Sequence, residues 1–406
     1  MAGRNDLVVV AGTGTTKFAR ERTDTDQLGL MVEAALAAIH DAGLSPNDID
    51  GVLAYGGDID DRLEIQLSEH LGLYETPVFA SIDAGGGGTG HMLEFGRNAL
   101  RQGRARNIVC VNAFKESTWG GGADAASGSV NDLEGAAATV WPTAHFVNVE
   151  RPYGGTLHAH YAAIARRHMH EFGTTEEQLA AVAHAIRYNG SLNPAALRRE
   201  APSIDDVMQS GVVASPLTKL MCCMVNDGGA AFVMTTADRA PDLPKKPVYV
   251  LGIGTGAMGY TPSVLAKGSN GFDLVRTAGK IAAADAFDEA GLTPDDVDVV
   301  TCCDNFAITP LIALEDYGFC KKGEGGDFVG DGSRIKVGGS LPVNPHGGWM
   351  ACSHAGVFVG TFVEAVRQLQ GDCGDRQVAG AHVAFHGASG GSLNTHSGVV
   401  LSNVAP

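Results

Sequence analysis

The sequence predicts an α/β protein built from two similar halves, and three observations carry that prediction. A stretch near the start recurs in the second half of the chain. Strand-like and helix-like runs alternate along it. The composition is that of a compact, loop-rich α/β chain: of 406 residues, 55 are glycine, 44% are hydrophobic and only 18% are charged. Residues 32–56 (VEAALAAIHDAGLSPNDIDGVLAYG) align with 280–304 (KIAAADAFDEAGLTPDDVDVVTCCD). The alignment sets Ala42-Gly43-Leu44-Ser45-Pro46 against Ala290-Gly291-Leu292-Thr293-Pro294, and Asp48-Ile49-Asp50 against Asp296-Val297-Asp298. A second pair follows, Glu94–Gly103 with Phe362–Gly371. The repeat is far too long for a solenoid, so the two halves pack as one body with a site between them.

Element by element, Leu7–Val10 reads as a short strand that ends in a turn at Gly12-Thr13-Gly14. Met31, Ala35, Ala38, Ile39 and Ala42 have helical spacing over Leu28–Ala42, and Gly43 stops the helix. Gly51–Tyr55 and Ile108–Val111 are strands. The second half repeats the order with a strand at Val248–Ile253, a helix over Phe272–Ala290 stopped by Gly291, and a strand at Val297–Cys303. Such alternation argues for a mostly parallel sheet covered by helices. Residues of about 115–215 interrupt the first half. They open on Trp119-Gly120-Gly121-Gly122 and carry predicted helices at His158–Phe172 and Glu176–Tyr188. This is an inserted lid or loop domain, or a surface elaboration for subunit contact. The expected division is an N-terminal half over 1–245 that contains the insert, and a C-terminal half over 246–406.

A net charge of -17 argues against a nucleic-acid partner, because phosphate binding needs a basic footprint. The N-terminus, MAGRNDLVVVAGTG, runs straight into glycines and does not read as a signal peptide, and no apolar run approaches a membrane span. The 8 cysteines include the adjacent pairs Cys222-Cys223 and Cys302-Cys303, a spacing that suits neither a metal knuckle nor a secreted disulfide framework. Reduced thiols in a cytoplasmic protein, and no metal site, are the expectation.

Five segments carry the chemistry. They are Met224–Val233 (MVNDGGAAFV), Cys303–Ala307 (CDNFA), Gly338-Gly339 with Asn344–Gly348 (NPHGG), Ser353–Gly356 (SHAG) and His386–Gly391 (HGASGG). Their order and spacing resemble the thiolase superfamily, above all its lipid-transfer-protein thiolase-like branch, over almost the whole chain. The resemblance implies a thiolase-like fold: two pseudo-symmetric βαβαβαββ halves with an inserted lid or loop domain. It also implies an acyl-CoA substrate, no tightly bound cofactor, and a nucleophilic cysteine and a catalytic histidine that begin symmetry-related helices. The register that pairs Gly103 with Gly371 puts Gly86 opposite His354, where that cysteine belongs. Asp83–His91 reads DAGGGGTGH and holds no cysteine, and Cys110 falls inside a strand. Glycine cannot form an acyl-enzyme. What it leaves is room and backbone N–H groups at a helix start, so Gly86 and Gly87 become oxyanion donors. The alternative is a non-catalytic subunit whose site has decayed into a flexible turn.

The resemblance assigns the remaining roles. His354 donates to a thioester oxygen or shuttles a proton. Asp304 orients His354 or acts as a base, or is structural. His386, in the C-terminal loop, is a second proton-transfer group. His346, Gly347 and Gly348 form a glycine-rich loop against the substrate, with His346 equally read as exposed. Cys303 is a nucleophile or, more simply, buried beside Cys302; Cys352 reads as packing. The CoA nucleotide would rest near His158 and the basic Arg166-Arg167, although charges on a helix surface are usually just solvated. A thiolase-like fold without its cysteine resembles bacterial thiolase-like aldolases of steroid side-chain breakdown. Those cleave a β-hydroxyacyl-CoA by a retro-aldol route and work with a small OB-fold and zinc-ribbon partner. They carry a tyrosine just before the acidic residue, where this chain has Cys303, and the glycine-rich loop likewise offers Trp349. Leu341–His354 and Val366–Gly371 also resemble acyltransferases of phloroglucinol biosynthesis, which use the cysteine this chain lacks. The expectations are therefore a carbon–carbon lyase, an acyltransferase or a non-catalytic acyl-CoA-binding subunit, paired as a homodimer.

Overall fold

The computed structural model describes residues 7–55, 62–118, 156–258, 273–390 and 393–406. The first half contains β1 (Val8–Thr15), α1 (Gln27–Asp41), β2 (Gly51–Tyr55), α2 (Leu63–His70), β3 (Val78–Ser81), α3 (Gly88–Arg101) and β4 (Asn107–Lys115). Three helices follow, α4 (Leu157–Phe172), α5 (Glu176–Ser191) and α6 (Ile204–Met208), then a small ribbon of β5 (Val212–Ala214) and β6 (Leu217–Thr218), and β7 (Asp227–Thr236). The second half runs β8 (Val248–Ala257), α7 (Gly279–Ala290), β9 (Val299–Cys302), α8 (Ile308–Asp316), α9 (Gly325–Val329), α10 (Val357–Gln370), β10 (Val383–Gly390) and β11 (Thr395–Ser402).

Nine strands form one sheet in the order β3-β2-β4-β7-β1-β8-β11-β10-β9. Read outward from the β1–β8 seam, the halves mirror each other: β1, β7, β4, β2 on one side and β8, β11, β10, β9 on the other. Val343 pairs with Val300 in a single parallel bridge, at the place that β3 takes beside β2. The sheet is mixed rather than mostly parallel. β2 runs parallel to β3 and β4, and β9 to β10, but β7 and β11 return antiparallel into the middle of their halves and β1 meets β8 antiparallel. The strand–helix alternation did not reveal these returning strands.

The repeated segments have repeated jobs. Asp48 and Asp296 each accept from the backbone N–H of the Ser45 or Thr293 that opens their turn, both at 2.8 Å. Asp50 accepts from Arg106 and Asn107 at the start of β4, and Asp298 from His382 and Val383 at the start of β10. Each half thus ties its repeated loop to the strand that neighbours it. Gly12-Thr13-Gly14 is not a turn but the middle of β1. A Cβ on Gly12 would lie 2.4 Å from the Ala42 nitrogen, and one on Gly14 would lie 2.3 Å from the Ala34 carbonyl oxygen. The second half repeats this contact, with Gly252 and Gly254 of β8 each only 2.0 Å, by the same measure, from the Ala286 and Ala282 carbonyls of α7. Bare strand backbone against an alanine-faced helix sets the spacing of both outer layers. The helix expected from Phe272 begins only at Gly279, because Asp273 instead takes the Val275 N–H and the Arg276 side chain.

Helices α3 and α10 lie against strands of both halves and against each other, and so form the central layer. Their buried residues Met92, Leu93, Phe358, Phe362 and Val366 share one core with Leu53, Phe232, Val250 and Leu401. The helix starts pair Gly88 with Val357, while the C-terminal glycines pair Gly103 with Gly371. α3 carries one more right-handed residue, Gln102, before its glycine. Counted from the helix starts, Gly85 rather than Gly86 is the mate of His354.

The part of the insert that is described is not a surface elaboration; Trp119–Gly122 lies outside the described residues. Tyr161, Ile164, Leu179 and Ile186 of α4 and α5 share a core with Phe306, Ile308 and Leu311 of the second half. Both helices start on threonine caps, Thr156 and Thr175, worth about 1 kcal/mol each. His168 of α4 reaches Glu315 of α8 at 3.1 Å, both side chains wholly buried. Lys322 also reaches Glu315, at 3.0 Å.

Gly254→Ala tests the strand–helix contact. Its Cβ meets carbonyl backbone rather than a flexible side chain, so the substitution should cost about 3 kcal/mol, the upper end for overpacking. The readout is a lower urea midpoint at unchanged slope. An unchanged midpoint would mean that glycine does not fix this spacing.

Candidate active site

Ligands of α/β sheets gather outside the carboxyl ends of strands. Here Glu116 follows β4 at once, and Cys303 and Asp304 follow β9. The first turns of α3 and α10 face the same region, and the loop before α10 completes it.

That loop is fixed from below. Buried Asn344 accepts the Cys302 N–H and donates to the Cys302 carbonyl, each at 2.8 Å, which continues the edge of β9. The chain then passes Gly347 and Gly348 into a single π turn, Gly348–Cys352. Gly348 has φ of 56°, and a Cβ there would lie 2.1 Å from an Asp304 oxygen. The bare residue lets Asp304 reach the turn. Its oxygens accept from Trp349 N (2.8 Å) and Met350 N (3.2 Å). Burial pushes the Asp304 carboxyl up to about 7, against those two N–H groups and the charges of His354 and Arg187, which pull it down. Asp304 is thus a clamp on the turn that delivers His354.

The carboxylate on His354 is Glu116. His354 Nδ1 makes a short hydrogen bond to Glu116 Oε1. The ring closes through Asn226, which donates its backbone N–H to Glu116 Oε2 at 2.9 Å and accepts the His354 N–H at 2.8 Å. Asn226 also donates to Ser353 Oγ at 2.9 Å. Trp349 sets its edge against the imidazole at 4.8 Å and spends its indole N–H on the Val357 carbonyl. The Glu116 side chain is 1% exposed, whereas that of His354 is 21% exposed, so Nε2 is the atom left for a ligand. Burial alone lowers the His354 pKa, but the charge and hydrogen bond of Glu116, with Asp304 behind, reverse the sign and raise it. Sequence reasoning missed Glu116 and Asn226. The available signal was an acid placed directly after a strand and an amide directly before one.

The glycine segment is crowded where room was expected. A Cβ on Gly86 would lie 1.9 Å from the Ser389 carbonyl oxygen. On Gly87, the cap residue of α3, the nearest atoms would lie at 3.2 and 3.3 Å. The Gly85 N–H donates to Asp83 Oδ1 at 2.9 Å, and the Thr395 hydroxyl donates to the Ala84 carbonyl at 2.7 Å. Cys303 faces the same strand end. It accepts from Ser389 N at 3.1 Å, is 2% exposed, and burial pushes its thiol up to about 12. Cys352 is likewise buried, accepts from Asn193 and is pushed up to about 12. The other six thiols, all uncrosslinked, are raised as well, burial being the leading cause in each. No cysteine is poised as a thiolate.

His386 lies in strand β10, not in a loop. Its ring nitrogens face Thr301 Oγ1 (3.0 Å) and Thr89 Oγ1 (3.3 Å), and burial pushes it down to about 3. It is a neutral strut under the first turn of α3. His346 is buried rather than exposed and is pushed down by burial to about 4; its Nδ1 has no hydrogen-bond partner. It lines a cavity of about 40 Å³ with Cys352, Ser353, Glu364, Arg367 and Arg376. His158 stands edge-on to Phe306 at 5.4 Å, on which Tyr161 stacks. Arg166 is half exposed and turned to Ser215 and Glu176, away from these rings. The structure therefore gathers His354, Asp304, Cys303 and the two glycine loops, and sets Arg166 apart. Among the described residues no group of His, Cys, Asp or Glu is arranged to hold a metal, and no helix is long and apolar enough to cross a membrane.

The chain resembles known proteins over nearly its whole length. Residues 266–403 match the family described as Thiolase C-terminal domain-like. It is 32% identical to a steroid side-chain-cleaving aldolase of Thermomonospora curvata, across 89% of this chain and 90% of that one. It is 35% identical to an acetyl-CoA acetyltransferase of Methanothermobacter thermautotrophicus, across 96% and 98%. The solved structure of the Ltp2-ChsH2(DUF35) aldolase superposes with a TM-score of 0.84 at 29% identity, across 98% of both chains.

Two cysteine substitutions probe the glycine segment. Gly86→Cys should lower the thermal midpoint by several degrees, because its Cβ would overlap a carbonyl oxygen at 1.9 Å, whereas Gly87→Cys, whose neighbours at 3.2 and 3.3 Å need yield far less, should lower it less. Equal midpoints would show that the Ser389 contact yields freely.

Proposed function

Because the chain belongs to the thiolase superfamily, in its lipid-transfer-protein-like branch, we propose that this enzyme is a carbon–carbon lyase that cleaves a β-hydroxyacyl-CoA by a retro-aldol route. The observation that carries the reading is an intact histidine before α10 together with a glycine segment before α3 that holds no cysteine. His354 keeps its place before α10, while Gly86 is pressed against the Ser389 carbonyl and no thiol in the chain is activated. An acyl-enzyme has no atom to form on. Retro-aldol cleavage needs none. A base takes the β-hydroxyl proton, the Cα–Cβ electron pair moves to the thioester enolate, and the enolate is protonated at Cα. The products are a ketone or aldehyde and a shortened acyl-CoA, with no water or free CoA consumed.

His354 Nε2 is the base and returns the proton to Cα. The backbone N–H groups of Gly86, just before α3, and of Gly348 hold the enolate oxygen, since those of Gly87 and Gly347 already donate to the Ala84 and Asn344 carbonyls. Asp304 keeps the π turn in place. Cys303 and His386 act as packing beneath the substrate rather than as proton carriers, since burial raises the one and neutralises the other. His346 belongs to the loop's support, and the CoA nucleotide crosses near His158 rather than Arg166. The scheme calls for no tightly bound cofactor, and eight free thiols suit a reducing, cytoplasmic setting. The T. curvata relative is a steroid side-chain-cleaving aldolase and the solved relative pairs with a DUF35 protein, which supports a steroid-like or lipid acyl group and a small OB-fold, zinc-ribbon partner. The similarity to an acetyl-CoA acetyltransferase supports acyl transfer as the competing reading.

Panels of β-hydroxyacyl-CoA and β-ketoacyl-CoA, assayed with and without the partner, separate them. The lyase should give a carbonyl product and shortened acyl-CoA, leave the protein mass unchanged and survive iodoacetamide. A covalent acyl adduct, or strict dependence on free CoA, would overturn it. Binding without turnover would leave a non-catalytic subunit.

A homodimer is proposed through β3. Among the described residues the strand is hydrogen-bonded on one edge only, and Phe79 on it is 51% exposed, with Tyr74 and Ile65 exposed nearby in sequence. Phe79→Lys should turn the dimer mass in light scattering into that of one chain, and a mass that does not change would rule this edge out.

A further inference from the structure

We infer that Glu116 is the positioning residue of His354, holding it in the tautomer that presents Nε2 as a base and stabilising the imidazolium once the proton is taken. The inference rests on the lyase reading. Its support is the closed ring of three residues from distant parts of the chain. Glu116 contributes both oxygens, one to His354 Nδ1 and one to Asn226 N, and Asn226 returns its side-chain oxygen to His354 N. The backbone N–H of Asn226 can only donate, so Oε2 accepts there. With Glu116 as a carboxylate, Oε1 accepts from Nδ1–H, and the neutral imidazole then carries its lone pair on Nε2. The group is dry on the Glu116 side and open on the imidazole side.

The consequence for the reaction is electrostatic. When Nε2 takes the β-hydroxyl proton, the positive charge on the ring is met by the carboxylate of Glu116, whose side chain is 1% exposed. The charged groups that face the imidazole are Glu116, from the end of β4, and Asp304, after β9; Arg187 of α5 acts on Asp304 from behind. Both acids raise His354, Glu116 more than Asp304. Asp304 acts on the imidazole by charge alone, whereas Glu116 adds a direct hydrogen bond to Nδ1.

Glu116→Gln removes the charge and keeps the shape. Its amide must set an N–H either against the Asn226 N–H or against Nδ1, so the ring cannot close as before. The expected result is a fall in kcat of about 100-fold, the low end for a general base, with KM changed less than about threefold. The acidic limb of the kcat profile should move to lower pH, because the neutral imidazole is the active form and its pKa falls without Glu116. Glu116→Asp, which keeps the charge, should leave the limb near wild type even if kcat drops. Nitrogen-detected NMR titration of His354 in substrate-free protein reads the same shift independently. An unmoved His354 titration in Glu116→Gln, in protein that melts like wild type, would overturn the proposal. A shifted titration in a protein that cleaves no substrate would uphold the dyad and sink the lyase reading instead. Should Glu116→Gln fail to fold, the Glu116→Asp titration decides: a fall there, with the charge retained, would also overturn the proposal.

Discussion

Close backbone approach is the constraint on which the rest of this structure depends. β1 and β8 are bare at the positions that meet α1 and α7, and the helices answer with Ala34, Ala42, Ala282 and Ala286. The halves are thereby set at the same helix–sheet spacing, and the central helices α3 and α10 are left to fill what lies between. The same device operates near the site, where Gly86 lies against the Ser389 carbonyl, whereas Gly348 is bare to admit the Asp304 side chain. Contacts between backbone atoms have no rotamers with which to yield, so a side chain added at such a point shifts a whole segment. Gly86 is therefore part of the packing between the segment before α3 and β10.

Burial then divides the polar groups by role. Water is scarce around them, so each charge is decided by its partners. Glu116 has a histidine and a backbone N–H. Asp304 has two N–H groups that are outweighed by desolvation, and it titrates near neutrality. His386 meets two threonine hydroxyls and stays neutral. His354 combines an ion-pair partner with an open face. A site of this kind suits a reaction that shuttles one proton and stabilises one enolate, and it is ill suited to a thiolate, which would add a further buried negative charge beside Glu116 and Asp304.

Much of the fold was legible in the sequence because it is written twice. The Gly-Leu-Ser/Thr-Pro repeat and its two aspartates mark equivalent turns, and the structure gives those aspartates equivalent backbone partners. The two inserted helices were read to within a few residues from their periodicity. The antiparallel return of β7 and β11 was not legible, since a strand's direction depends on where the chain comes back. The glycines of β1 read as a turn, because glycine signals a bend and a close contact with the same letter.

For the site, the sequence by itself determined part of the inventory. It marked His354 and Asp304, and it showed that no cysteine stands at the start of α3, because motif order is a one-dimensional property. Only the tertiary structure decided which groups meet. Glu116, Asn226 and His354 come from three separate segments, and nothing in their local sequence announces a hydrogen-bonded ring. Whether His386 is a catalyst or a strut, and whether Gly86 leaves a space or fills one, likewise turned on neighbours far along the chain. Partner and solvent access set a side chain's charge and reach, and both exist only once the two halves have closed around α3 and α10.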